Sequence, residues 1–377
     1  MPTRRHVLQV LAAAPALASA GCAATPDPAA AWRAPALGER DPRRFALAHA
    51  ILAPNPHNRQ PWLVDLMGKD EILFYPDTAR LLPATDPPNR QITVGCGAFL
   101  ELLDLAARQI GRRTDITLWP QGEPQPNLDS RPVAHVRLVA DPAVTPDPLF
   151  AQIPRRHTNR VPFDLKAPPT PAELAAIVTA ADGGPIAAGT VTREADRAAL
   201  ISMGWRGWTI EGHTPRTHME SIRLLRIGAA EIAQHRDGIS LAGPLFEVLK
   251  ATGTLTPKGL ADPNSFGAKQ SDDMSRKALE GTPAFLWLRS ADAGRVSQIA
   301  AGRAYARAHL TATKLGLSFQ PWSMTLQEYP EMALLYAATQ ARLGASPQTP
   351  LQMLARVGRA KFAGPAPRRG LAAHIRT

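Results

Sequence analysis

Polar side chains with chemistry to offer gather in two short stretches of this 377-residue chain. The first is Ala53-Pro54-Asn55-Pro56-His57-Asn58-Arg59-Gln60-Pro61-Trp62. Its prolines fix φ and push each preceding residue toward an extended conformation, which excludes a helix or a central strand. A loop this stiff could hold the Asn58 and Gln60 carboxamides as fixed donors and acceptors, matched to the edge of a flat heterocycle. It could equally be a proline-rich connector whose polar residues face water. The second stretch is Arg155-Arg156-His157-Thr158-Asn159-Arg160. Guanidinium forks there could bind an anion or make salt bridges at an internal interface.

The first stretch resembles the Pro-Ser-x-x-Asn-x-Gln-Pro-Trp loop of the nitroreductase superfamily, which binds FMN. The second resembles that family's Arg-x-Ser-x-Arg motif, with Thr158 in the Ser position. The reversed order of the two resembles the Acg-type branch, in which two nitroreductase-like halves are fused. This resemblance implies an α+β fold whose halves form an intramolecular pseudo-dimer: a first half over 39–147 and a second over 148–377. It implies FMN held by Pro56, His57, Asn58 and Gln60 on one side. Arg156, Thr158 and Arg160 would hold the phosphate, with Arg368, or alternatively Arg369, from the tail Pro365-Ala366-Pro367-Arg368-Arg369. Gln320 and Pro321, in Leu317-Ser318-Phe319-Gln320-Pro321-Trp322, resemble the strand that edges the flavin pocket. His57 stands where the family has a small hydroxyl.

The function so implied is electron transfer through the flavin from NAD(P)H or another donor to a flat quinone- or nitroaromatic-like acceptor. A flavin-binding or flavin-storing protein without turnover is the alternative, and a structural lipoprotein without cofactor a third reading. No catalytic side chain and no metal set stands out. His213 and His218 are not spaced as a ligand pair on one helix face and read as surface or packing residues.

At the amino terminus, Thr3-Arg4-Arg5-His6-Val7-Leu8-Gln9 resembles the twin-arginine export motif, and the apolar run after it is too short to span a membrane. Ser19-Ala20-Gly21-Cys22 resembles a lipobox, with Ser19 in place of the usual Leu or Val. Residues 1–22 therefore read as a signal, Cys22 as a candidate lipid anchor, 23–38 as a tether, and the protein as exported, periplasmic or membrane-anchored. The formal net charge of +11 invites a nucleic-acid partner. The basic residues are nevertheless dispersed without a binding motif, so none is expected. With Cys22 otherwise used, Cys96 has no disulfide partner.

These residues need a scaffold. Asp41 to Leu52 reads as a helix feeding the proline-rich loop. Trp62 to Met67 and Glu71 to Tyr75 read as strands around a Gly68-Lys69-Asp70 turn. Thr93 to Ile110 has apolar residues at helical spacing and ends at Gly111. Val296 to Leu315 repeats that pattern and ends at Gly316. Asp115 to Trp119, Ala134 to Val139, Gly189 to Arg193, Pro283 to Ser290 and Pro350 to Ala360 read as strands. Pro171 to Ala181, Glu194 to Ile210, His218 to Ala233 and Glu331 to Leu343 read as helices. The polar stretch 251–281 reads as a long loop, either a lid or a surface insertion. One FMN per chain, bound between the halves of a monomer, follows from each motif occurring once.

Overall fold

The computed structural model describes residues 26–376. The export-like segment, Cys22 and the start of the 23–38 stretch lie outside them. The described chain is α+β.

In the first half, α1 (Pro42–Ala50) leads through the proline-rich loop to β1 (Trp62–Met67) and β2 (Glu71–Pro76). Then come α2 (Arg90–Gln109), β3 (Arg112–Leu118) and β4 (Ala134–Ala140). Alternation explains the strands: Ile72 and Phe74 of β2 are buried while their neighbours are half-buried. Helix α2 starts one turn before its apolar rhythm does. The reason is Asp86, whose carboxylate accepts the Gln91 and Ile92 amides at 3.1 and 2.9 Å. Its Phe99, Leu100, Leu102 and Leu103 are fully buried, each contributing about 1.5–3 kcal/mol.

The second half opens with α3 (Pro171–Ala181), β5 (Ile186–Val191) and α4 (Glu194–His213). A helical cap follows: α5 (Pro215–Arg223), β6 (Leu225–Ile227), α6 (Ala229–His235), β7 (Ile239–Leu241), α7 (Pro244–Ala251), α8 (Pro257–Leu260) and α9 (Phe266–Glu280). The chain closes with β8 (Ala284–Ser290), α10 (Arg295–Lys314), β9 (Ser318–Pro321), α11 (Ala333–Arg342) and β10 (Leu351–Gly358).

The two halves repeat one plan. The sheets run β1-β2-β4-β3 and β5-β8-β10-β9, antiparallel throughout. In each, a long helix joins the second strand to the third. Those helices, α2 and α10, pack on one another at the centre. They cross at Gly97 and Gly302. A Cβ on Gly97 would lie 2.1 Å from the Ile299 carbonyl oxygen, and one on Gly302 would lie 1.9 Å from that of Val94. Only glycine lets the backbones approach so closely. Each helix also begins with a buried arginine that reaches into the opposite half. Arg90 pairs with Glu328 at 2.6 Å and donates to the Leu351 carbonyl. Arg295 donates to the carbonyls of Pro124 and Pro126, both at 2.7 Å.

Several expectations are corrected. The continuous helix over His218–Ala233 is broken by β6, which pairs in parallel with β7, and by Gly228 at φ +83°. The 251–281 stretch is largely helical: α8 and α9 fill it, and the Ser265 hydroxyl caps α9 by accepting the Ala268 amide at 3.1 Å. Strand β5 begins three residues before Gly189, because the Gly183–Gly184 turn pairs Gly183 with Ile186. The described part of the 23–38 stretch does not trail free. Trp32, in a helical turn at Ala30–Arg33, is buried and donates its indole N–H to the Ala366 carbonyl at 2.7 Å.

Candidate functional site

A cavity of about 750 Å³ lies between the halves and beneath the cap, within the size range of small-molecule sites. Pro56, His57, Asn58, Arg156, Thr158, Arg160, Gln320, Pro321 and Arg368 all line it. Gln60 and Arg369 do not.

The basic end is built on α1. Its last turn runs into Leu52 and Ala53, whose carbonyls accept Arg156 Nη2 at 3.0 Å and Arg368 Nη2 at 2.9 Å respectively. Carbonyls at a helix carboxyl end favour cations. Both guanidinium groups also lie over the Trp32 ring, 5.4 and 5.3 Å from its centroid. Arg156 is 2% exposed and Arg368 3%. Neither makes an ion pair among the described residues. Arg156 Nε and Nη1 and Arg368 Nε are buried without a hydrogen-bond partner. Burial pushes the Arg156 pKa down to about 10, and burial together with Arg156 holds Arg368 well below its usual value. Two desolvated like charges with idle N–H groups leave this end of the cavity with unspent capacity to bind an anion.

Arg156 sits where the 3-10 turn Phe150–Arg155, anchored by buried Ile153, gives way to extended chain. Thr158 then bridges to Phe319 at the edge of β9, and the Asn159 amide donates to the Phe319 carbonyl at 3.1 Å. The Asn159 side chain is fully buried on Ser318 Oγ and the Lys361 carbonyl. Extended alternation thus anchors Asn159 and leaves Thr158 and Arg160 on the cavity. Arg160 keeps surface open to the cavity although protein surrounds it, and desolvation lowers its pKa.

The proline-rich loop is held in left-handed backbone at His57, Asn58 and Gln60, with φ of 47°, 51° and 51°. Such strain in non-glycine residues persists only when the surroundings enforce it. Here Asn55 Oδ1 accepts the Gln60 amide at 2.7 Å, and the Asn58 carbonyl accepts the Gly238 amide at 3.2 Å. Asn58 Nδ2 donates to the Pro367 carbonyl at 3.0 Å, which leaves Asn58 Oδ1 buried and unpartnered. His57 Nδ1 is likewise unpartnered, and burial beside Arg160 and Arg59 holds its pKa down to about 4.

Gln60 departs from expectation. Its left-handed backbone points the fully buried side chain away from the cavity, where Nε2 donates to the Arg236 carbonyl at 2.8 Å and Oε1 accepts the Arg369 amide at 2.9 Å. Of the two tail arginines, Arg368 therefore faces the cavity and Arg369 clamps the loop. Gln320 lines the cavity, but its carbonyl oxygen is already taken by Arg356, a wholly buried arginine that also donates to Thr282 Oγ1 and the Val161 carbonyl.

Two further residues shape the site without any signal in the loop motifs. Tyr305, on α10, lines the cavity with its hydroxyl buried and unpartnered; it falls beside the Ala306 face that the periodicity marks. Glu211, on α4, lines the cap side, accepting Ser221 Oγ at 3.0 Å and Gln327 Nε2 at 2.8 Å. Burial raises its carboxyl pKa. His213 and His218 border the same side, each bonded to a backbone carbonyl, of Thr209 and Leu260.

No family model matches the chain. An uncharacterized protein of Mycobacterium tuberculosis is 32% identical over 126 residues, covering 32% of this chain and 35% of the relative. A second protein of that organism, provisionally named an NAD(P)H nitroreductase, is 30% identical over 122 residues, covering 31% and 33%. The matched stretch thus spans about a third of the length of these curated relatives. Among solved structures, an FMN- and NADPH-dependent nitroreductase from Sphigopyxis sp. is similar over 61% of this chain and 98% of its own, at 19% identity and a TM-score of 0.38. The FMN-dependent nitroreductase of Mycobacterium smegmatis is similar over 60% and 96%, at 17% identity and a TM-score of 0.36.

Proposed function

We propose that the chain is an FMN-dependent oxidoreductase of the nitroreductase type, with one cofactor site between its halves. The observation that carries this is the pair Arg156 and Arg368, both lining the cavity: buried and, among the described residues, without carboxylate partners and with unpartnered N–H groups. The provisional name of one curated relative agrees with it. FMN fits the donor set. Arg156 and Arg368, assisted by Thr158 and Arg160, would hold the phosphate. Asn58 Oδ1, His57 Nδ1 and the Tyr305 hydroxyl are the idle groups available to the ring and ribityl chain. When bound, FMN supplies two-electron chemistry through its N5 position. The chain's own part is to bind, orient and exclude water, through the strained loop below and the cap above.

The donor is NAD(P)H or another reductant, and the acceptor a flat quinone- or nitroaromatic-like molecule. In this reading the protein is exported through its twin-arginine-like segment, with Cys22 as a candidate lipid anchor, and acts as a monomer whose halves replace two subunits. Anaerobic addition of NADPH to the FMN-loaded protein should bleach the flavin absorbance, and a quinone should restore it. A protein that takes up no flavin after reconstitution overturns the reading. Flavin binding without reduction would favour a carrier, an alternative supported by the bonds that tie the cap to the loop at Gly238 and Arg236.

A further inference from the structure

The cavity's lining has two characters. Besides the basic residues, the part beneath the cap forms an apolar arm lined by Ile222, Leu225, Ile239, Leu241, Phe246 and Leu249. Helix α7 packs on β6 and α9 on α4, rather than on the central helix pair that borders the basic end. Three polar groups beneath the cap are committed to protein partners: Asp272 accepts the Trp208 indole N–H at 2.7 Å, Glu211 is held by Ser221 and Gln327, and His218 is bonded to the Leu260 carbonyl, while Gln270, Ser271, Ser275 and Lys277 of α9 add a polar edge to the same lining. At the mouth, Leu245, Phe266 and Met274 line the cavity while remaining 63%, 60% and 55% exposed. Apolar side chains left in water around one opening disfavour the empty state and favour an apolar occupant.

Building on the reading of the basic end as the flavin site, we propose that the acceptor is a tailed quinone, its flat head taken at the polar end and a long alkyl or isoprenoid tail lying in the arm beneath the cap. A small nitroaromatic or tailless quinone would leave that arm wet. The continuity of the two regions in one cavity sets the class of ligand: an amphiphile with a single polar, planar end.

Trp208 and Trp322 both line the cavity, so ligand binding is readable as quenching of indole fluorescence in the FMN-loaded protein. The probes are a dimethoxy-methyl benzoquinone and its decyl-bearing homologue. The decyl compound should bind at least about tenfold more tightly, which corresponds to burying roughly two methylenes. The variant Leu245→Glu/Met274→Glu changes exposed positions only and should reduce that ratio to about threefold or less, with the tailless quinone as internal reference. Equal affinity for the two quinones overturns the proposal. So does a tail advantage that survives intact in the variant, which would indicate adsorption elsewhere, and so does failure of either quinone to bind. Parallel titration with FMN judges the cofactor reading separately: FMN binding without tail discrimination sinks this inference and leaves the cofactor site standing.

Discussion

The two flanks of the central helix pair are related by the same repeat and have been put to different uses. Arg90 and Arg295, Gly97 and Gly302, and Gly111 and Gly316 are each separated by the same number of residues, and by that correspondence Ala98 on α2 matches Arg303 on α10. Ala98 is a small, buried residue on the cavity wall. Arg303 instead pairs with Glu101 at 2.8 Å, and Arg307 bridges Glu101 and Asp147 at 2.8 and 3.0 Å. Tyr305, with its idle hydroxyl, corresponds to Leu100, and His309 to Asp104, which accepts the Thr114 hydroxyl. One flank thus keeps space and unsatisfied cationic donors. The other is closed by ion pairs whose donors and acceptors satisfy one another. In a repeated scaffold a few positions decide whether polar capacity is spent internally or left available, which is the basis for expecting one site per chain.

The most severe way to break this contrast is Ala98→Arg, which gives the open flank the closing residue of the other. FMN affinity should fall by more than about a hundredfold, since a long cation would fill the wall and find no carboxylate there. Isothermal titration with FMN checks this; retained affinity would mean that Ala98 does not border the ligand.

Next in size is Arg156→Ala. Losing a charge-assisted contact, typically about 1.5–3 kcal/mol, should weaken FMN roughly ten- to a hundredfold. Riboflavin, which lacks the phosphate, should change far less. Asn58→Ala should weaken both ligands by similar factors. If Arg156→Ala weakened riboflavin as much as FMN with the fold intact, the phosphate assignment would fail.

The open flank also holds imidazoles that burial keeps neutral: His57, down to about 4, and His309, well below the usual value. A histidine whose folded pKa is depressed adds stability above its unfolded pKa of 6.5 that is lost as pH falls toward the folded value. Thermal stability should therefore drop between about pH 6.5 and 4, with His57 contributing roughly 3 kcal/mol. In His57→Asn the slope over that window should be shallower, and an unchanged slope would show that His57 is not held neutral.

The smallest effect is expected from Arg303→Leu. Glu101 retains Arg307, so stability should change by about 1 kcal/mol or less, and flavin titration should still give one site per chain. A second site appearing would mean that Arg303 alone closes the other flank.

Much of this arrangement could be read from residue order. The two central helices stop just before Gly111 and Gly316, both in left-handed backbone, and Asn58, Arg156, Thr158, Arg160 and Arg368 do meet on one cavity. The rest was hidden for identifiable reasons. Gln60 turns away because its left-handed backbone and its partners Arg236 and Arg369 are set by chain far away in sequence. The break between α5 and α6 depends on β6 pairing with β7, a non-local contact that overrides a helical pattern. Trp32 lies in an Ala- and Pro-rich segment with no periodicity, and only its contacts with Ala366 and the two arginines give it a role.

The tail has a consequence in time. The Arg368 amide donates to the Pro28 carbonyl, and the tail then continues to β1, where Arg376 N–H meets the Val64 carbonyl, both at 2.9 Å. Arg368, one of the two guanidiniums of the basic end, is therefore synthesised long after the Trp32 ring it rests on. Neither half of the chain assembles the basic end by itself during translation. An anion held by both guanidiniums has to await the arrival of residue 368, so on the proposed reading bound flavin would report a chain folded from the Trp32 segment to the Arg368 segment.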